Sequence, residues 1–536
     1  MVNGQTNVPI ELSFGGSAIP WDTEVDVVFT GPDGDQWRAP AFWAGGTEWR
    51  VRFAAPKPGR YTFRSECADA SLHGQTGEIE VTAFEGENYL YRHGHLRVAE
   101  SMRALEHADG KPFFWMGDTW WMGLTTRLDW PDEFKSLAAD RVAKGFDLIQ
   151  IVAGPLPNFD AATEAWHPMQ ANEAGWSWEK DWDRINPAYY DLADQRMAHL
   201  VESGLMPYII GMWGFYIGVM GVENARKHWR NLVARYGAYP LVWCIAGELE
   251  LPMYSRLSDP EARKRDGAFQ SEAWSDVARY VREIDPYHNP ITAHPWAAAG
   301  SRKALTDDGL LDVDMLQTGH GGHAVLRATV DKANAAISTE PRMPVVNGEP
   351  CYEGIMGTAW QEQQRFVFWT SILSGAAGHT YGAQGIWQMS TRGTPYSQDW
   401  GAGFWPEAMH YAGSAQVGLG RKFLERYPWW RFEQRHEPEV EKLGRVSSFA
   451  AGIPGAVWVF YLAGAWTDRV FAGMNGLKTA IEAGASYRAF FFDPRTGAEV
   501  EIGPVTPDSD GMWAIPPRPT MEDWVLVLET ERERDD

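Results

Sequence analysis

A chain of 536 residues is too long for one hydrophobic core and points to two to four domains. Its 44% hydrophobic and 22% charged composition is that of an ordinary globular protein, and no apolar stretch reaches the roughly 18 residues that would span a bilayer. A formal charge of −23 excludes a nucleic-acid binder, which needs a basic face, and disfavours polyanionic substrates.

Met1-Val2-Asn3-Gly4-Gln5-Thr6 has neither the basic region nor the apolar core of a signal peptide. The three cysteines, Cys67, Cys244 and Cys351, are too few and too scattered for a disulfide framework. A cytoplasmic location is therefore expected.

Residues 1–92 read as an immunoglobulin-like β-sandwich. Ile10–Phe14, Glu24–Phe29, Trp49–Phe53, Arg60–Ser65 and Ile79–Ala83 alternate as half-buried strands, with turn chemistry at Thr30-Gly31-Pro32-Asp33-Gly34. Residues 93–428 change texture. Eight apolar runs follow in order: Pro112–Trp121, Asp147–Ala153, Met206–Trp213, Leu241–Glu248, Pro290–Trp296, Val313–Gly319, Pro344–Glu349 and Ala377–Trp387. Helical periodicity over Ala188–Val201 and Trp360–Leu373, and a helix start at Pro131-Asp132-Glu133-Phe134, fall between them. Eight β-then-α units of this size predict an α/β fold, a (β/α)8 TIM barrel. Its fifth unit is the weakest, because residues 297–311 are short and rich in small side chains. Residues 429–536 return to β, with strands over Ala456–Leu462, Tyr487–Phe492 and Asp523–Leu528, and predict a C-terminal antiparallel β domain.

Chemistry gathers where strands end, because the C-terminal rim of a barrel carries its working side chains. Glu248 closes the fourth run and Glu349 the seventh. Two carboxylates on that rim suit glycoside hydrolysis, one protonating the leaving oxygen while the other attacks or activates water. Glu248 is thus the candidate acid/base and Glu349 the candidate nucleophile, with Glu250 and Glu353 as neighbouring rivals. Asp118, Trp120, Trp121, Gln150, Trp213, His294, His320, Tyr352, Tyr381 and Trp387 stand at or near other strand ends. They are the candidate substrate-binding residues, offering hydrogen-bonding groups and flat aromatic faces to a sugar; packing at the barrel mouth is the plainer alternative for each. The long second loop, about residues 155–185, carries Asp160, Trp166, His167, Trp176, Trp178 and Trp182, and reads as a cleft wall or as a loop stapled by its own aromatics.

His320 and His323 lie close, yet no third ligand has metal-site spacing, so no metal is expected. Phosphate loops, dinucleotide fingerprints and serine elbows are missing, so no cofactor is expected either.

Asp109-Gly110-Lys111-Pro112-Phe113-Phe114-Trp115-Met116-Gly117-Asp118-Thr119-Trp120-Trp121 and Gly378-His379-Thr380-Tyr381-Gly382-Ala383-Gln384-Gly385-Ile386-Trp387 resemble the first and eighth strands of the apiosidase-like glycoside hydrolases of clan A. Phe492-Asp493-Pro494-Arg495-Thr496-Gly497 resembles the small β domain that ends such chains. The resemblance implies an exo-glycosidase with its acid at Glu248 and its second carboxylate at Glu349. One position departs: many clan members have Asn before the strand-four acid, contacting the sugar 2-hydroxyl, where this chain has Gly247.

The expected function is a retaining exo-glycoside hydrolase releasing a terminal sugar, such as the pentofuranoses arabinofuranose or apiose, from an oligosaccharide. Its partner is then the glycoside alone, with neither nucleic acid nor membrane. An inverting enzyme on the same barrel and a non-catalytic carbohydrate-binding protein are the alternatives.

Overall fold

The computed structural model describes residues 2–157, 166–296, 300–395, 400–435, 449–464, 467 and 478–530. At the N-terminus two sheets face each other. Five strands, Val2–Gln5, Thr76–Thr82, Gly59–Cys67, Val25–Thr30 and Gln36–Pro40 in that spatial order, oppose three, Ile10–Gly15, Glu48–Phe53 and Phe42–Gly45. Alternation explains the layer. Val25, Val27 and Phe29 turn inward onto Phe53, Tyr61 and Ile79, while the residues between them stay half-buried.

The barrel strands are β1 (Trp115–Thr119), β2 (Leu148–Val152), β3 (Met206–Ile210), β4 (Val242–Cys244), β5 (Ile291–Thr292), β6 (Asp314–Gln317), β7 (Val345–Glu349) and β8 (Gly378–Tyr381). They pair in parallel in the order β5-β4-β3-β2-β1-β8-β7-β6. The seam between β5 and β6 lacks a ladder and is closed by single bonds. Asp312 N–H donates to the Ile291 carbonyl at 2.8 Å, and Thr292 Oγ1 to the Val313 carbonyl at 2.8 Å. Helices α1 (Asp132–Lys144), α2 (Pro187–Glu202), α3 (Ile217–Tyr236), α4 (Pro260–Ile284), α5 (Leu326–Ile337), α6 (Gln361–Leu373) and α7 (Ala412–Leu424) wrap the strands. After β5 the described residues form only short 3-10 turns, Ser301–Lys303 and Asp308–Leu310, as the small side chains there foreshadow.

Apolar runs overstate strand length wherever buried loop and buried strand share a composition. Pro112–Trp121 divides: Pro112–Phe113 joins Leu105–His107 and Leu96–Val98 in a separate small sheet, and β1 begins at Trp115. The fourth run keeps strand geometry only through Cys244, then continues as a buried turn bridged to Trp213 through Gly247.

Both flanking domains dock on the barrel through buried charge. Arg52 of the sandwich donates to Asp194 on α2 at 2.6 Å and to the Arg235 carbonyl of α3 at 2.7 Å. The C-terminal sheet, six strands centred on Val457–Leu462 and Trp524–Thr530, buries both faces. Val457, Val459 and Tyr461 meet the barrel core, while Trp458, Phe460 and Leu462 meet Ile481, Trp513 and Ile515. That double burial is why the strand reads as an uninterrupted apolar run. Arg365 on α6 grips Asp523 with two hydrogen bonds, 2.8 and 2.6 Å, and Tyr461 Oη donates to the same carboxylate at 3.1 Å. Asp523→Ala would leave the buried Arg365 cation unpaired and is expected to cost about 3 kcal/mol. Thermal denaturation should show a clearly lowered midpoint; an unchanged one would mean the pair does not hold the domains together.

Candidate active site

The eight βα loops enclose one cavity of about 700 Å³ over the C-terminal ends of the strands. Each loop or strand end supplies at least one wall residue, from Trp121 after β1, Pro157 after β2 and Trp213 after β3 round to Trp387 after β8. Glu248 and Glu349 lie at its base.

Glycines shape the approach to both carboxylates. A Cβ at Gly247 would stand 2.3 Å from Cε3 of Trp213, so the indole occupies the space a side chain would need. The Asn common at this position in the clan has no room here. At Gly348 a Cβ would stand 2.5 Å from the Met315 methyl, so only glycine lets β7 press against β6 beside Glu349. Glu248 itself has φ +37°, a left-handed backbone that a glutamate adopts only at a cost of order 1–3 kcal/mol, held by the surrounding structure.

The two carboxylates share a donor. Gln317 Nε2 donates to Oε1 of Glu248 at 2.9 Å and to Oε1 of Glu349 at 3.0 Å. Two such bonds from one nitrogen keep those oxygens within about 6 Å of each other. A bulge between Leu316 and Gln317 sets Gln317 opposite Glu349 in the β6–β7 register. The sequence candidates do not include this residue; an amide at the C-terminal end of β6 is the available signal.

Glu349 is 5% exposed and ringed by donors. His320 Nε2 donates to Oε1 at 2.8 Å, and His294 Nε2 stands 3.0 Å from Oε2. Burial alone would raise the Glu349 pKa, but the two imidazoles override it and hold the carboxyl well below its ordinary range. His294 is fully buried, which would depress it, yet the Glu349 and Glu248 charges raise it. Its Nδ1 faces the Pro295 carbonyl at 3.2 Å, so both ring nitrogens meet acceptors and the imidazolium form suits the site. Glu248 moves the other way. Burial first, and the Glu349 charge second, push it up to about 7. A protonated carboxyl beside an ionised one is the charge state an acid and nucleophile pair requires.

Aromatic rings enclose this pair. Trp121 meets Trp213 and His294 edge to face at 5.8 and 5.6 Å, and Tyr352 stands 4.6 Å from His320. Burial and the neighbouring Glu349 carboxylate raise the Tyr352 phenol far above its usual value, so it stays protonated. Trp387 completes the wall and donates to Gln384 at 3.1 Å.

Other sequence candidates lie elsewhere. Asp118 is fully buried and accepts from Arg141 on α1 at 2.6 Å and from Trp120 Nε1 at 2.7 Å, so this pair ties β1 to α1 behind the cavity. Gln150 sits inside the barrel, donating to Thr380 Oγ1 at 3.0 Å. Tyr381 Oη donates to Glu353 at 2.5 Å, and Glu353 also accepts from Gly413 N–H at 3.0 Å, which places that carboxylate behind the wall. Glu250 accepts from the Trp296 N–H at 3.0 Å and does not line the cavity. His323 faces Gln363 at 2.9 Å, away from the partner of His320. In the second loop Trp166, Trp176, Trp178 and Trp182 meet one another, Tyr216 and Trp21 edge to face or tilted and do not line the cavity; Asp160 lies outside the described residues.

An eight-stranded parallel barrel that brings two glutamates together at or just beyond the ends of β4 and β7, one with its pKa raised and the other with its pKa lowered, has the architecture of a glycoside hydrolase. The sequence profile of the apiosidase-like catalytic domain matches residues 99–431, well over half of the chain, and the protein belongs to that family. A domain of unknown function, DUF5060, matches residues 7–68. Among solved structures, a candidate glycoside hydrolase from Bacteroides vulgatus ATCC 8482 superposes with a TM-score of 0.74 at 16% identity, covering 99% of this chain and 100% of its own. A family 5 glycoside hydrolase from the same organism gives a TM-score of 0.65 at 21% identity, covering 83% and 94%. At such identities the likeness shows the fold. No curated protein sequence matches the chain significantly. Among the described residues no helix is long and apolar enough to cross a membrane.

Proposed function

We propose that the protein is a retaining exo-glycosidase that removes one terminal sugar. The observation that carries this reading is the shared Gln317 donor, which keeps an oxygen of each carboxyl within about 6 Å of the other. Retaining enzymes separate the two groups by about 5–5.5 Å, whereas inverting enzymes need about 6.5–9.5 Å to admit a water. Glu349 attacks the anomeric carbon while Glu248 protonates the leaving oxygen; Glu248, then ionised, deprotonates the water that releases the sugar. Oε1 of Glu349 already accepts from Gln317 and His320, whereas Oε2 faces His294, which favours Oε2 as the attacking atom. Exo action is part of this reading: residues from all eight strand ends converge on the carboxylate pair, which supports it.

A pentofuranose, apiose or arabinofuranose, is the proposed sugar, with family membership as its support. Trp213 fills the space of the Asn that touches the 2-hydroxyl in many clan members, so that hydroxyl is held by other groups.

Proton NMR of a 4-nitrophenyl pentofuranoside during hydrolysis tests the mechanism. The first sugar released should carry the configuration of the substrate. First release of the opposite anomer would establish inversion, and no release from furanosides or pyranosides alike would favour a binding protein.

A further inference from the structure

We propose that the group leaving with the glycosidic oxygen is hydrophobic, an aliphatic or aromatic alcohol rather than a second sugar. The inference rests on the exo-glycosidase reading above and concerns the outer half of the same cavity.

Burial sorts the cavity into a base and a mouth. At the base, Trp121, Trp213, Glu349, Tyr352 and Trp387 are all buried. Toward solvent the lining residues Tyr254, Leu257, Trp296, Met356 and Trp400 are half-buried or exposed. A terminal sugar reaches the anomeric chemistry at the base, so whatever it is attached to must lie in the mouth. Two of these, Tyr254 and Leu257, lie in the loop that follows the acid Glu248, on the side where the leaving oxygen takes its proton. A volume of about 700 Å³ is in the range that holds drug-sized ligands, so there is room beyond one ring.

The mouth offers a second sugar few hydrogen-bonding partners among the described residues. Among the described lining residues, the carboxylates, Gln317 and His320 are gathered at the reacting centre, leaving the Tyr254 hydroxyl and the indole N–H groups of Trp296 and Trp400 farther out. Aromatic rings alone would suit a sugar face, but Leu257 and Met356 offer a hydroxyl nothing. Each hydroxyl enclosed there without a partner costs about 1–3 kcal/mol. Met356 is the most telling: it is 42% exposed and sits at φ +50° between Gly354 and Gly357, themselves left-handed. A large apolar side chain held in a costly conformation at the rim of a reaction pocket gains from an apolar ligand that covers it.

Octyl and 2-(2-ethoxyethoxy)ethyl glycosides, matched in chain length, test the idea as α-L-arabinofuranosides and as apiofuranosides. The ether oxygens make the polar alcohol, if anything, the better leaving group, so intrinsic reactivity works against the expected order. Burial of several methylenes should nevertheless raise kcat/KM for the octyl compound by about tenfold or more. Leu257→Asn and Met356→Asn should each shrink that ratio. Equal or reversed kcat/KM in the wild type, or an undiminished ratio in both variants, would overturn the inference while leaving the glycosidase intact. Failure to cleave either pair, together with silence on nitrophenyl glycosides, would instead strike the underlying functional reading.

Discussion

Glu349→Ala is expected to lower kcat by on the order of 10⁴-fold or more, the scale at which removal of a covalent nucleophile is felt. Among the described residues, neither neighbouring rival can replace it. Glu353 is turned away to Tyr381 and Gly413, and Glu250 is held by the Trp296 backbone outside the cavity. Truncation also opens space beside the anomeric carbon, which a small anion can enter. With an activated aryl glycoside and added azide, the variant should regain turnover and yield a glycosyl azide of inverted configuration. Glu349→Gln keeps the shape but withdraws the charge that raises the His294 pKa, and it should be as inactive as the alanine variant. Undiminished hydrolysis by either variant would remove Glu349 from the mechanism.

Replacing Glu248 should divide substrates by their leaving groups. Glu248→Gln is expected to reduce kcat/KM for alkyl glycosides by about 10²–10⁴-fold, the usual contribution of a general acid. Dinitrophenyl glycosides, whose leaving group needs no proton, should still form the glycosyl-enzyme and show a burst followed by slow turnover. The pH profile gives a second readout. Burial and the Glu349 charge push Glu248 up to about 7, so its active protonated form is lost as pH rises through that value. Wild-type kcat/KM should therefore fall above about pH 7, whereas Glu349, held low by His294 and His320, stays ionised far into the acid range. In Glu248→Gln the alkaline limb should vanish. Equal losses on good and poor leaving groups, with the limb intact, would refute the acid role.

Local chemistry made much of this fold legible. Three-to-four spacing located α2 and α6 to within a residue or two, and period-two alternation located five of the eight described sandwich strands; α2 and Val25–Thr30 have one face on a core and one toward water, whereas α6 is buried nearly all round. Runs buried on every side carry no such phase. Thus β4 is only Val242–Cys244 inside a longer apolar stretch, and the C-terminal strands conceal which face meets the barrel. Strand-end position was enough to place Glu248 and Glu349 on the rim, since the rim of a barrel is defined by chain order alone.

What chain order cannot specify is which side chains of different strands meet. Asp118 stands near the end of β1 and Gln150 within β2, yet Asp118 is claimed by Arg141 on α1 and Gln150 by Thr380 on β8. Gln317 reaches both carboxylates because a bulge shifts the β6–β7 register, and Gly247 is a glycine because the Trp213 ring lies against it. Sequence by itself therefore determined the barrel, its two flanking β domains and the two glutamates on the rim, all consequences of local periodicity and order along the chain. The shared donor, the imidazoles that hold Glu349 ionised and the apolar mouth were decided only by tertiary structure, because each depends on distances between residues that the sequence separates by dozens of positions.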